Sequence, residues 1–291
     1  MKVIGLIPAY NEEQMIGIVV EKTSQFVDLV IVVDDGSIDN TNSMAKQAGA
    51  LVIRNSKNLG LGRTMRRGYL EARKQGADIV VQLDADQQYD PCEIPKLLEP
   101  IIQGQADMVL GARLDNLMYE MPSVKKFGNR SFTWILRKLT KEDVRDGQTG
   151  FRAIRGELLD TVLPTNKFSY TQEMILRAAF EGWKIVSVPV HFYQRYDNKS
   201  RLFNSSIGFA VRGWRIILKT LRDYYPLKFF GYPGIFLYLI SVTLSILNYF
   251  NELDSDLISH NGIVLTNAVL IIIGTQLIIS AFIADMVRKK K

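Results

Sequence analysis

Asp84 and Asp86 stand two residues apart where the apolar run 79–83 ends. At i and i+2 of an extended chain both carboxylates leave the same face. They repel unless a cation or a donor lies between them. Oxygen ligands of this kind suit Mg²⁺ or Mn²⁺. Such an ion needs further oxygens, which a diphosphate supplies, and Gln88 stands to add a neutral one from the following loop. Asp34 and Asp35 close a second apolar run, 29–33, and lead into Gly36 and Ser37. Their carboxylates suit base N–H groups or ribose hydroxyls, or equally a turn and helix cap. Pro8, Ala9, Tyr10, Asn11, Glu12 and Glu13 follow the first run. A tyrosine ring there can stack on a base while a carboxylate reaches a ribose.

These residues need a scaffold that gathers strand ends. The pattern predicts strands over 3–8, 29–33, 51–54, 79–83 and 108–111, alternating with helices over 12–26, 39–49 and 62–76. Asp39 is the expected cap of the second helix and Gly49 its stop. Continuous apolar strands separated by helices predict an α/β fold, a mostly parallel sheet flanked by helices on both faces. Ligands of such sheets bind beyond the C-terminal strand ends, where the acidic residues lie. Gly60 and Gly62 do not form GxGxxG, which excludes a dinucleotide fingerprint. The stretch 114–201 is less regular: helices are expected over 132–139 and 171–181, and a strand over 185–193. Pro189 predicts that this strand is an edge or carries a bulge.

The formal net charge of +6 fits a phosphate-rich partner or an anionic membrane surface. A single cysteine, Cys92, excludes an intrachain disulfide and fits a reducing compartment. The apolar start 3–9 runs into Glu12 and Glu13, so no signal peptide is expected. The last third changes character. Residues 229–251 and 261–284 carry no charge, and each is long enough to span a bilayer as a helix. The loop between them holds Glu252, Asp254 and Asp256, whereas Lys219, Arg222 and Lys228 precede the first stretch and Arg288 to Lys291 follow the second. The positive-inside rule then places both ends in the cytoplasm. Between the two regions, Ile207, Val211, Trp214, Ile217, Leu218 and Leu221 recur at helical spacing with Arg212, Arg215, Lys219 and Arg222 interleaved. That pattern predicts an amphipathic helix lying on an anionic leaflet.

As an ensemble, Ile7 to Glu13, Val32 to Ser37 with Asp39, Asn58 to Gly62, and Asp84-Ala85-Asp86 with Gln88 resemble the GT-A glycosyltransferases of family 2. The chain looks most like their dolichyl-phosphate mannose synthase and polyprenyl-phosphate glycosyltransferase group. The resemblance implies a GT-A, Rossmann-like fold. It implies that Pro8, Tyr10, Glu12, Asp35 and Asp84 contact the nucleotide sugar, and that Asp84, Asp86 and Gln88 organise a divalent metal, Mg²⁺ or Mn²⁺, with the diphosphate. Asp146 to Arg152 resembles the family's acidic-then-GFR segment, which brings Gln148 to the donor. Arg195 with Ser200 and Arg201 resembles the element that closes over the donor phosphates. Gly111-Ala112-Arg113 resembles the segment whose arginine meets the acceptor phosphate, with Lys125, Lys126 and Arg130 extending that anion site. Glu173 occupies the region where related inverting enzymes hold an acidic residue near the sugar, and it reads equally well as a first-turn helix acid.

The implied reaction is inverting transfer of a sugar from a GDP-mannose, UDP-glucose or UDP-GlcNAc type of donor to a dolichyl or polyprenyl phosphate. Asp86, Arg113, Arg195 and Arg201 are the expected catalytic residues. The alternative is a membrane glycosyltransferase with a hydroxyl acceptor, such as a polysaccharide synthase; that needs a base such as Glu173, and no Q-x-x-R-W element is present. The expected organisation is a catalytic domain over 1–201, an interfacial region over 202–228, spans over 229–251 and 261–285 around an external loop 252–260, and a basic tail 286–291. The expected partners are the nucleotide sugar, the lipid phosphate, the bilayer and, through the membrane helices, a second copy of the chain; no nucleic acid is expected.

Overall fold

Val3–Ala9 (β1), Leu29–Asp34 (β2) and Ile79–Gln82 (β4) are apolar almost throughout, and nearly every residue in them is buried. That requires cover on both faces of the sheet. The computed structural model describes residues 1–117, 123–165, 170–194, 218–219, 221–249 and 260–289. Leu51–Arg54 (β3), Met108–Leu117 (β5), Arg152–Arg155 (β6) and Ile185–Phe192 (β7) complete one sheet among these residues, in the order β3-β2-β1-β4-β6-β5-β7. All pairings are parallel except those of β6, which runs antiparallel to both β4 and β5. The expected α/β class and mostly parallel sheet are present. Pro189 does lie on an edge strand, opposite Ala112, where its missing N–H costs no ladder bond on the open side.

Each sheet face carries its own core. Ile16–Ser24 (α1), Thr41–Gln47 (α2) and Ile94–Ile102 (α4) bury Ile16, Val19, Val20, Ala45, Ile94, Leu97 and Ile101 against Ile7, Val32, Val81 and Val109. On the other face Leu61–Lys74 (α3), Ser123–Thr140 (α5) and Tyr170–Phe180 (α6) bury Met65, Tyr69, Leu136 and Met174 against Leu6, Val33, Val80 and Leu110. Several boundaries and one element differ from the sequence expectation. Helix α1 starts at Ile16, not at residue 12, because Asn11 adopts φ 56° and residues 12–16 form a turn closed on the Glu12 carbonyl. Helix α5 starts nine residues earlier than expected, and β6 was not anticipated.

The chain divides into two compact units, Met1–Ile216 and Ile217–Lys291. In the second, Pro226–Tyr249 (α7) and His260–Lys289 (α8) form an antiparallel pair, with Gly234 against Gly274 and Ser241 bonded to Asn267. The small residues let the backbones approach closely. Both helices are long and apolar enough to cross a membrane. Most of the expected interfacial helix, 207–217 and 220, lies outside the described residues.

Candidate active site

The register brings the chemistry to one edge. Ala9 pairs with Asp34, Asp34 with Arg54, and Gln82 with Leu6, so β1 to β4 all end on the same side. Strand β6 enters from that side at Arg152, opposite Gln82. Strand β5 leaves there too, passing Gly111, whose N–H donates to Phe151 O at 2.9 Å. The segments after β1, β2, β4 and β5 and before β6 therefore share one rim.

On the β1–β3 side the loops are knitted to each other. Asn11 N–H donates to Ser37 Oγ at 2.9 Å and Ile38 N–H to Asn11 Oδ1 at 3.0 Å. Glu12 N–H donates to Thr41 Oγ1. Pro8 is buried, whereas Tyr10 and Glu12 are half-buried on the rim. Asp34 is fully buried, accepts from Ser37 N at 2.8 Å and lies 3.4 Å from Arg54 Nε. Asp35 is 5% exposed, and its carboxylate accepts from Asn55 Nδ2 and Leu59 N, both at 2.8 Å, and from Gly60 N at 3.0 Å. These contacts make Asp35 hold the Leu59–Gly60 turn that opens α3. Gly36, at φ +77°, sits so close to residues 57 and 58 that a Cβ would lie 2.6 Å from the Lys57 carbonyl carbon. Strain and clash of about 2 kcal/mol or more predict that Gly36→Ala lowers the apparent Tm by roughly 4 °C or more, read by intrinsic fluorescence of the full chain in detergent.

The centre of the rim is Asp84 and Asp86. Both are half-buried. Asp86 Oδ1 accepts from Gln88 N at 3.2 Å. Gln88 Nε2 donates to Tyr193 O at 3.1 Å, and Tyr193 N to Gln88 O at 2.9 Å, a two-way clasp that fixes this loop to the end of β7. Asp84 rests on Gly150: a Cβ there would lie 2.9 Å from its Cγ and Oδ1 and closer still to Oδ2. Gly150 N–H donates to Tyr89 OH at 3.0 Å, and burial pushes the Tyr89 phenol up to about 12, so it stays neutral. Among the described residues no three His, Cys, Asp or Glu side chains converge as a metal cage. Two half-exposed carboxylates on a glycine cradle fit a hard divalent ion that takes its other oxygens from water and a diphosphate.

Next to them, Arg113 Nε lies 2.6 Å from the fully buried Asp146 Oδ2. Its guanidinium stands 5.2 Å over the Phe192 ring. Burial alone would lower the Arg113 pKa, but the Asp146 carboxylate beside it raises it above the ordinary arginine range. Asp146 Oδ1 also accepts from Gln148 N at 3.0 Å and Asn129 Nδ2 at 3.4 Å. The Gln148 Nε2 amide is buried and has no hydrogen-bond partner among the described residues. Arg130 is exposed on α5. Lys125 and Lys126 belong to the same helix, but their side chains, like all of Arg195, Ser200 and Arg201, lie outside the described residues.

Glu173 is not on the rim surface. It is 5% exposed, and its carboxylate accepts from Thr165 N and the Thr165 hydroxyl, with Arg177 Nη1 3.9 Å away. Glu173 thereby clamps the chain before α6, as fits the first-turn helix acid. Tyr89 and Asn55 were missed by sequence reading; Thr149 and Arg152 entered only as part of the Asp146–Arg152 segment, without a role of their own.

The comparisons with known proteins bear on the family and the fold. The profile described as Glycosyl transferase family 2 matches residues 6–163. The chain is 32% identical over 237 residues to a UDP-N-acetylglucosamine–dolichyl-phosphate N-acetylglucosaminyltransferase of Methanococcus voltae, covering 74% of this chain and 94% of that one. It is 28% identical to an undecaprenyl-phosphate mannosyltransferase of Micrococcus luteus, covering 72% and 91%. In fold it is similar to glucosyl-3-phosphoglycerate synthase from Mycobacterium tuberculosis, solved with Mn²⁺, UDP-glucose and phosphoglyceric acid, with TM-score 0.58 and 24% identity over 77% of this chain and 79% of that one. The chain belongs to glycosyl transferase family 2.

Proposed function

We propose that the chain transfers a sugar, with inversion, from a nucleotide sugar to a polyprenyl phosphate at a membrane surface. The observation that carries this reading is the meeting of Asp84 and Asp86 with Arg113 on one rim, in a chain that also carries an apolar helix pair. The relatives of Methanococcus voltae and Micrococcus luteus, whose names specify dolichyl and undecaprenyl phosphate, support the acceptor class. Asp84 and Asp86 would hold a divalent cation, Mg²⁺ or Mn²⁺, with Gln88 fixing their loop. When bound, that ion supplies charge stabilisation for the departing nucleoside diphosphate. Tyr10 and Glu12 flank the nucleotide, Asp35 shapes the turn beside it, and Gln148 offers its unpartnered amide to the sugar. Arg195, Ser200 and Arg201 are assigned to the donor phosphates on resemblance.

A phosphate monoester acceptor is already ionised at neutral pH and needs no strong general base. Catalysis is then positioning and charge stabilisation. Arg113 commits Nε to Asp146, which leaves its two Nη groups to grip the acceptor phosphate, with Lys125, Lys126 and Arg130 extending that charge. The hydroxyl-acceptor alternative would need a base, and Glu173 is occupied with Thr165, which favours the phosphate reading. In water the α7–α8 pair would expose Ile235, Phe236, Leu239, Leu265, Ile272 and Phe282. A bilayer covers such a surface, and the charge pattern supports a cytoplasmic side for the catalytic unit.

Membranes carrying the chain would be incubated with Mg²⁺ or Mn²⁺, polyprenyl phosphate and radiolabelled GDP-mannose, UDP-glucose or UDP-GlcNAc. One label is expected in the lipid extract, in a form released by mild acid. Label that appears only in water-soluble or polymeric product would overturn the lipid-phosphate acceptor.

A further inference from the structure

Arg152 is the largest fully buried side chain of the described structure. No carboxylate lies within ion-pair distance of it among the described residues. Its Nη2 donates to Thr149 O at 2.6 Å and its Nη1 to Thr171 O at 3.4 Å, while Nε has no partner. The guanidinium stands 5.9 Å from the Tyr170 ring centroid. Burying a charge without a counter-ion is costly, and such a residue is retained where something else uses the charge.

The sheet register says what lies nearby. Arg152 pairs with Gln82 across β4 and β6. Asp84 is two residues beyond Gln82 and Gly150 two before Arg152, and the close approach of Gly150 to the Asp84 carboxylate places them on the adjoining rung. At roughly 3.3 Å per residue, Arg152 lies one layer, about 7 Å, beneath Asp84. Its neighbours across the β4 rung are neutral groups. Gln82 bridges the hydroxyls of Tyr69 and Tyr170, and burial raises both phenols well above their usual range. Among the described residues, no carboxylate is paired with Arg152 there.

We propose that Arg152 is a positioning residue that serves as the buried counter-charge of the diphosphate site. This rests on the nucleotide-sugar reading above. Two carboxylates and a donor diphosphate bring about four negative charges to the rim, and a divalent ion returns two. The guanidinium offsets part of the remainder from below, out of reach of solvent screening. Through Thr149 it also holds the Thr149–Gly150 turn on which Asp84 rests.

The test uses full-length chain in nanodiscs, titrated calorimetrically with Mn²⁺ and UDP or GDP, whichever the wild type binds, and with the matching nucleoside. Arg152→Gln is expected to weaken the nucleoside diphosphate by roughly tenfold or more and the nucleoside by less than about twofold. Arg152→Lys keeps the charge but loses the fork that spans the two carbonyls, and is expected to recover most of the diphosphate affinity. Equal loss for nucleoside and diphosphate, or no recovery with lysine, would assign Arg152 to bridging alone and overturn the counter-charge. If Arg152→Gln does not fold, Arg152→Lys decides by itself: diphosphate affinity within about threefold of wild type supports the proposal, and a tenfold loss overturns it. A wild-type chain that binds neither UDP nor GDP overturns the nucleotide-sugar reading, and this inference with it.

Discussion

Replacing Asp86 by alanine is expected to lower sugar transfer by roughly 10²- to 10³-fold, the cost of removing one preorganised charge-stabilising group, while the chain still folds and inserts into membranes. Asp86 is half-buried at the end of β4, so its loss opens no cavity in either core. The loop it caps stays pinned through Gln88 and Tyr193, whose bonds involve atoms outside Asp86. The deficit should therefore lie in chemistry and metal affinity rather than in stability. Transfer to lipid, Mn²⁺ binding by electron paramagnetic resonance and the apparent Tm would be measured on the same preparation. A purified variant with normal transfer would sink the assignment of Asp86.

Gly150→Ala tests the same centre without touching a charge. The new methyl would meet the Asp84 carboxylate, with Cγ and Oδ1 at 2.9 Å. The turn cannot easily retreat, because the Gly150 N–H is held by Tyr89 and the Thr149 carbonyl by Arg152. Asp84 has to move instead. A displacement near 1 Å in a positioned reacting group can cost about 10²-fold, and a loss of that size is expected here. Coupling sharpens the test. On an Asp84→Ala background the methyl has nothing to displace, so Gly150→Ala should add little. Equal effects on both backgrounds would place the damage in the turn rather than in Asp84.

Much of this was legible in the sequence because the relevant signals are local. The β-branched runs that form β1, β2 and β4 have few other ways to be buried, and acidic residues at their ends mark the rim directly. The pieces that were not legible depend on distant partners. That Asp35 holds the turn at Leu59 and Gly60, and that Glu173 holds Thr165, follows only from the folded chain. Strand β6 is four residues long with arginine at both ends, which reads as a surface turn. It becomes a central strand only because Arg152 finds carbonyls, and Arg155 finds Asp107, once β4 and β5 are in place.

The position of β6 also sets the order in which the molecule can be made. The first four strands of the sheet, β3-β2-β1-β4, lie within the first 82 residues and pair with one another. Strand β5 follows in sequence but has no neighbour among them; it joins only through β6. A chain emerging from the ribosome therefore holds β4 with one bare edge until residues 152–155 arrive, and the half of the rim that carries Arg113 cannot dock before then. Long-range pairing of this kind is slow. In sequence order, the β1–β4 half of the rim is therefore complete before the half that carries Arg113, and β7 is added to the open edge after both.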